Sequence, residues 1–355
     1  MKFLHVADLH IGSNRSIPGF LERQEDVYDQ IFESAKSLGV DAVVVAGDIW
    51  HQKLHPPRER DLFMKKLLQY NHYGFKIILI AGNHDYLEPG LTHLQHITFQ
   101  ADLGRLNNVV SADTTIKFYQ MGDQIFLLMP HATFRHKEFN QEVRSYVKAL
   151  QESSFEVPFK GIIVVAHFAV KNSDADVSSA AGKSFRMPDG VEIDDTLPIT
   201  YIALGDLHVQ QRVCSCCYYS GSPIQTRWGE APNKGGLLVD TDSPDDPKFV
   251  PFESKRMLTF YEAPEKWPED AFVRLITETE PPDNLPSNAL VVVKPKKYVA
   301  TTPEGEEVPE ESANLLEDLE AYLTSRGCPD EYLEIASQEA QEIAREQGVS
   351  LPESI

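Results

Sequence analysis

Apolar residues fall in short, nearly unbroken blocks along the chain, and each block stops at a polar cluster. The blocks at 2–7, 41–46, 76–81, 161–166 and 201–204 are rich in Val and Ile and show no alternation, the pattern of strands covered on both faces. Helical spacing of apolar positions fills the intervals, over 19–38, 58–73 and 91–103, so the chain reads as an α/β protein. A second group at 125–129, 216–220 and 236–239 is shorter and bounded by turn residues, which predicts a further, largely antiparallel sheet.

The pattern changes at Ser243-Pro244-Asp245-Asp246-Pro247, a turn-forming cluster that reads as the end of the core. Two strand-like runs at 257–261 and 289–293 flank a helical candidate at 270–277, enough for a small α+β module. Past a linker at 303–309, helices are predicted over 312–325 and 330–346, and Leu315, Leu316, Leu319, Tyr322 and Leu323 recur on one face of the first. The predicted organisation is a core over 1–250, a small module over 251–300 and a helical tail over 301–355.

With 42% hydrophobic and 25% charged residues in 355, the chain has the apolar material for a packed interior and is not a disordered polypeptide. Its start is broken by His5 and Asp8 and lacks the apolar core of a secretion signal. No stretch has the length and apolarity of a membrane span. A cytoplasmic protein is expected, nucleoid-associated in a bacterial or phage setting. Cys214, Cys216 and Cys217 crowd within four positions and Cys328 is remote, so reduced thiols are expected rather than a disulfide framework. Their spacing also lacks the paired knuckles of a structural zinc site. The net charge of -21 opposes attraction to nucleic acid. However, residues 301–355 hold 15 Asp or Glu against 2 Lys or Arg, and the rest of the chain is only mildly acidic.

Candidate chemistry sits where the apolar blocks end. Asp8-Leu9-His10, Gly47-Asp48, Gly82-Asn83-His84-Asp85, Ala166-His167 and Gly205-Asp206-Leu207-His208 supply carboxylate, imidazole and amide groups, ligands suited to Mn, Fe or Zn. The carboxyl ends of strands are where α/β folds place their sites. A single strand-end His is usually a hydrogen-bonded structural residue, and a single Gly-Asp is a common turn. Five strand ends furnishing such residues together point to a site for two metal ions.

The series Asp-x-His, Gly-Asp, Gly-Asn-His-Asp, His and Gly-x-x-His resembles the calcineurin-like metallophosphoesterases. Residues 1–12 and Tyr218-Tyr219-Ser220-Gly221-Ser222-Pro223, followed by Trp228-Gly229-Glu230 and Lys234-Gly235, are similar to the SbcD branch of DNA double-strand-break repair nucleases, which includes the eukaryotic meiotic-recombination nuclease. The resemblance covers residues 1–255 and weakens beyond them. It implies two β-sheets sandwiched between helices, with a small capping module that meets DNA. It implies that Asp8, His10, Asp48 and His208 hold one ion and that Asp48, Asn83, His167 and Asp206 hold the other. Asp48 then bridges a pair that clamps one phosphodiester for in-line displacement. His84 is not a ligand in this scheme. It stabilises or protonates the leaving oxygen, with Asp85 as its orienting partner. The implied activity is a Mn-dependent nuclease, Mg and Fe being alternatives. Such an enzyme trims double strands 3′ to 5′ and cuts single strands or hairpins, gated by an SbcC-type ATPase.

Two positions depart from the pattern. Asp206 stands where the first His of Gly-His-x-His is usual, and His51 where an Asp often follows Gly-Asp-x-x. A carboxylate at 206 suits a harder ion such as Mn but adds negative charge that weakens phosphate attraction, so both an altered working site and a crippled one stay open. His51, one step further along, reads as a neighbour of the ligands or a surface residue rather than a ligand. Leu62, Phe63, Leu67, Leu91, Leu94, Ile97 and Phe99 spread beyond one helical stripe; they form core, or the homodimer through helices near 58–73 and 91–103 that the resemblance implies. Arg58, Arg60, Lys65 and Lys66 beside them either touch DNA phosphates or form a solvated face. The acidic tail 301–355 suits docking on the ATPase, or capping of the chain's own core. Competing readings are a small-molecule phosphodiesterase, to which 251–355 is surplus, and a metal-binding scaffold without turnover, against which the intact His84 counts.

Overall fold

Two six-stranded sheets stack face to face, because the apolar blocks are too uniformly apolar to leave either face in water. The computed structural model describes residues 1–131, 138–153, 158–175, 185–186, 190–277, 280–287 and 289–293. The predicted linker and tail helices lie outside the described residues. With strands numbered in chain order, the first sheet runs β16 (Lys248–Pro251), β15 (Gly235–Asp240), β1 (Lys2–Val6), β2 (Ala42–Val45), β3 (Lys76–Ile80), β6 (Val109–Ala112). β1, β2, β3 and β6 are parallel, and β15 and β16 close the edge antiparallel. The second sheet runs β13 (Gln211–Arg212), β14 (Cys217–Tyr219), β12 (Tyr201–Gly205), β9 (Gly161–His167), β8 (Gln124–Met129), β7 (Lys117–Met121). Its four inner strands are parallel and its two edge strands antiparallel.

Phe3, Val44, Ile78, Phe126, Ile163 and Tyr201 fill the space between the sheets. His5 ties them together, with Nδ1 3.2 Å from the Tyr201 hydroxyl and Nε2 3.2 Å from the Leu204 carbonyl. Burial pushes its pKa down to about 3, so the ring is neutral. Helices α1 (Phe20–Ser37), α2 (Pro57–Tyr70) and α3 (Gln95–Asp102) cover the outer face of the first sheet. In α1, Val27, Tyr28, Ile31, Phe32 and Ala35 recur at helical spacing and are buried. The helix stops where Gly39 takes φ 62°, and Pro57 opens α2. On the second sheet lies α4 (Phe139–Glu152), a helix beyond those predicted, which buries Phe139, Val143, Val147 and Leu150. The helix, sheet, sheet, helix layering is the expected sandwich.

Short ribbons pair β4 (Tyr86–Glu88) with β5 (Leu91–Thr92) and β10 (Asp174–Ala175) with β11 (Phe185–Arg186). A third sheet joins β17 (Arg256–Phe260), β18 (Ala271–Thr277) and β19 (Ala289–Val293), all parallel. Met257 and Phe272 from this sheet enter the cluster under α1. Arg23 of α1 is buried there. Its guanidinium donates to Ser254 Oγ and to the Gln225 carbonyl and lies against the rings of Phe20 and Phe272.

Several expectations need correction. The helical candidate at 270–277 is the central strand β18, because its aromatic and β-branched residues gain pairing on both sides. The second group of strands does not form a sheet of its own: β8 and β14 each pair parallel on one side and antiparallel with an edge strand on the other within the second sheet, and β15 joins the first with antiparallel neighbours. The Ser243 to Pro247 turn does not end the core, since β16 follows it and pairs with β15. The helix expected over 91–103 starts only at Gln95, after β5. Cys214 and Cys217 form a disulfide, with Cys216 free; one tight turn brings two thiols together without any spread framework.

Candidate metal centre

Each predicted ligand stands at the carboxyl end of a strand. Asp8 and His10 follow β1, Asp48 follows β2 and Asn83 follows β3; His167 ends β9, and Asp206 and His208 follow β12. Because β1, β2 and β3 are neighbours in one sheet and β9 and β12 in the other, stacking the sheets brings all seven side chains to one rim. Pairing continues past the strands: Asp8 N donates to the Gly47 carbonyl at 3.1 Å and His10 N to the Asp48 carbonyl at 3.0 Å. Asp8, His10, Asp48 and Asp206 all hold positive φ, at 55, 45, 54 and 102°, a conformation costly for residues with a Cβ and characteristic of functional sites. Close approach also demands glycine. A Cβ on Gly82 would fall 2.2 Å from Asp48 Oδ1, and one on Gly47 would fall 2.3 Å from His167 Nδ1.

The donor set calls for cations. His10 Nε2 and His208 Nε2 lie 3.0 Å apart, while the other nitrogen of His208 donates to Glu230 Oε1 at 2.9 Å. Two imidazole lone pairs at that separation repel unless a proton or a metal ion lies between them. His167 presents the same problem on the far side of Asp48. Its Nδ1–H donates to the Ala46 carbonyl at 2.7 Å, so Nε2 is left facing Asn83 Oδ1 at 2.9 Å, Asp48 Oδ1 at 3.3 Å and Asp206 Oδ1 at 3.9 Å. Asp48 touches both groups, since its other oxygen is 3.6 Å from His10 Nε2. The triples Asp8, His10, His208 and Asp8, Asp48, His167 are each compact enough for one ion.

Burial, with Asp48 and Asp206 adding repulsion, pushes the Asp8 carboxyl up to about 6 against the pull of His167 and His208. Burial opposes charge on His167, yet Asp48, Asp8 and Asp206 outweigh it and hold the imidazole well above its ordinary range. His10 is instead held well below, by burial first. Without metal the cluster therefore keeps a proton on His167, and below about pH 6 one on Asp8 as well, at positions cations would take.

The structure corrects the role of Asp85. Its carboxylate does not meet the His84 ring; it accepts the backbone N–H groups of Trp50 at 3.0 Å, Gly82 at 2.9 Å and Ile49 at 3.2 Å. Asp85 thus clasps the two turns that carry Asp48 and Asn83. His84 is oriented by the His51 carbonyl, to which its Nδ1–H donates at 2.6 Å, leaving Nε2 3.9 Å from Asp48 Oδ2. The His51 ring lies 3.4 Å from His10 Nδ1, beside the ligands. The four cations expected to contact DNA are mostly engaged elsewhere. Lys66 is buried on Asp29 and Glu25 at 2.7 and 3.1 Å, which removes it from any DNA surface. Arg58 pairs with Glu22 and Lys65 with Glu25, and Arg60 lies 3.9 Å from Asp61. Glu230 and Lys234 reach the site through His208. Their motif is visible in the sequence, but nothing in it announces a contact with a residue 22 positions upstream.

The calcineurin-like phosphoesterase family matches over residues 1–213, and the chain belongs to that family, whose members hydrolyse phosphoesters with two divalent metal ions. More narrowly, it is similar to the SbcD subunit of the nuclease SbcCD of Bacillus subtilis, 26% identical over 251 residues that make up 65% of this chain and 63% of that protein. The SbcD subunit of Staphylococcus epidermidis is 24% identical over 286 residues, 74% of this chain and 72% of that one. The chain thus spans less than two thirds of the Bacillus relative. Among solved structures, TT1561 of Thermus thermophilus aligns with a TM-score of 0.43 and 12% identity over 70% of this chain and 98% of that one.

Proposed function

We propose that the chain is a Mn-dependent DNA nuclease of the SbcD type, acting 3′ to 5′ on double strands and endonucleolytically on single strands and hairpins. The observation that carries this reading is the meeting of seven ligand-type side chains from five strand ends around Asp48, in a chain similar to the SbcD subunit of SbcCD. Asp8, His10, Asp48 and His208 would hold one ion and Asp48, Asn83, His167 and Asp206 the other. Bound there, the ions ease deprotonation of water and neutralise charge on the phosphodiester. Asp48 fixes the spacing of the two halves and accepts the His84 backbone N–H at 2.9 Å. His84, held by the His51 carbonyl, keeps Nε2 turned to the site and delivers a proton to the leaving oxygen.

A homodimer fits the outer helices. Leu62, Phe63, Leu67, Leu94 and Ile97 are core, but Leu68 and Phe99 are 55% and 60% exposed, with Leu91 and Leu103 also open, apolar residues available for burial by a second copy. Residues 301–355 would dock an SbcC-type ATPase; they lie outside the described residues. Among the described residues, no helix is long and apolar enough to cross a membrane. A catalytically impaired scaffold of the same complex is the rival that Asp206 favours.

The test is incubation of the full chain with Mn, labelled linear and hairpin DNA and a chromogenic phosphodiester, alongside His84→Ala. DNA cutting lost in the variant is expected. Cleavage of the small ester alone would sink the nuclease reading, and no turnover with metal bound would establish the scaffold.

A further inference from the structure

The turn after β14 contains a buried ion pair. Glu230 and Lys234 are 4% and 6% exposed, and Lys234 Nζ lies 2.9 Å from Glu230 Oε2. Burying two charges costs several kcal/mol each, and apolar residues of similar volume often stabilise as well or better, so the pair is explained by what it holds. His208 Nδ1–H donates to Glu230 Oε1 at 2.9 Å. Thr226 supplies its N–H at 3.0 Å and its hydroxyl at 2.9 Å to the same carboxylate. Lys234 donates to the His208 carbonyl at 3.1 Å and to Ser222 Oγ at 3.0 Å. His208 is therefore gripped at its ring by one partner of the pair and at its backbone by the other. An imidazole that gives its Nδ1–H to a carboxylate keeps a more basic Nε2 lone pair in one fixed direction, here toward His10 Nε2.

We propose that Glu230 is the positioning residue that makes His208 a metal ligand, and that Lys234 holds the Glu230 carboxylate in register for that task. The proposal rests on the metal-centre reading above. The brace has its own anchor. Gln225 Nε2 donates to the Glu230 carbonyl at 2.7 Å, and Gln225 Oε1 accepts the Met257 N–H of β17 at 2.9 Å, so the third sheet fixes the turn from behind.

The test compares two full-length double variants that leave no lone buried charge. Glu230→Ala with Lys234→Met removes the acceptor; Glu230→Gln with Lys234→Met restores a neutral one in its place. Manganese stoichiometry, calorimetric affinity and the Mn electron paramagnetic resonance spectrum are read alongside thermal unfolding. The Ala variant is expected to bind one of the two ions about 10- to 100-fold more weakly, with the spin-coupled pair signal giving way to that of an isolated ion. The Gln variant, of similar thermal midpoint, recovers most of that affinity. Two tightly bound ions in the Ala variant, or equal loss in a folded Gln variant, overturn the proposal. In the zinc-loaded wild-type chain, which needs no substitution to fold, nitrogen NMR should place the His208 proton on Nδ1, and a proton on Nε2 overturns it as well. A wild-type chain that binds fewer than two ions defeats the metal-centre reading instead.

Discussion

On one side of Asp48, His10 and His208 are sealed from solvent and His208 is braced by a buried carboxylate. On the other, His167 is equally buried, but Asp206 keeps 28% of its side chain exposed and Asn83 is half-buried. The closed end is preorganised by the Glu230 brace on His208, so an ion held there should exchange slowly and tolerate little change. The open end is where solvent can enter.

The sharpest way to break this contrast is at the shared group. Asp48→Ala should release both ions and lower turnover by about 10⁴-fold, given the several kcal/mol that such ions contribute; retention of one ion at full affinity, measured by metal analysis, would mean that the ends are independent. His84→Ala comes next, with a fall of about 10² to 10³ in kcat while both ions stay bound. Loss of metal in that variant would place His84 among the ligands.

Proton release distinguishes the ends by pH. Asp8, at about 6 against an ordinary 3.8, takes up a proton in the folded metal-free chain that the unfolded chain does not. The part of metal-free stability that Asp8 contributes, read as wild type against Asp8→Asn, should therefore fall by about 3 kcal/mol as pH rises from about 4 to 6 and be gone above 6. Metal binding displaces the protons of Asp8 and His167, so affinity should tighten by about tenfold per pH unit for each proton released. Calorimetry in buffers of different ionisation enthalpy reads this directly, and a flat profile would contradict it. The smallest effect is expected at the open end. Asp206→His should change Mn affinity there by about three- to tenfold and leave the closed ion untouched. A steep gain in activity would show instead that the native carboxylate impairs the site.

The buried strands and the seven converging residues are legible in the sequence because both are written in local pattern, unbroken apolar blocks for strands and ligand-type residues where the blocks end, whereas the sharing of those strands between two sheets comes only with the resemblance. What cannot be read there depends on distant partners. Ala271 to Thr277 carries a mixed pattern, and only pairing with β17 and β19 makes it a strand. Asp85 sits next to His84 in sequence, which suggests a bond between them, yet its carboxylate turns to the backbone of Ile49, Trp50 and Gly82. Lys66 reads as a surface cation, but Asp29, 37 residues away, takes its ammonium group out of solvent.

Arg23 carries a mechanical consequence. Its guanidinium is bonded to Ser254 and to Gln225 and sits against Phe20 and Phe272, so lifting the three-stranded sheet off α1 would strand a cation in an apolar slot. Force applied to that sheet from outside is therefore carried into α1 and the turn holding Gln225, and the linkage is stiff rather than hinged.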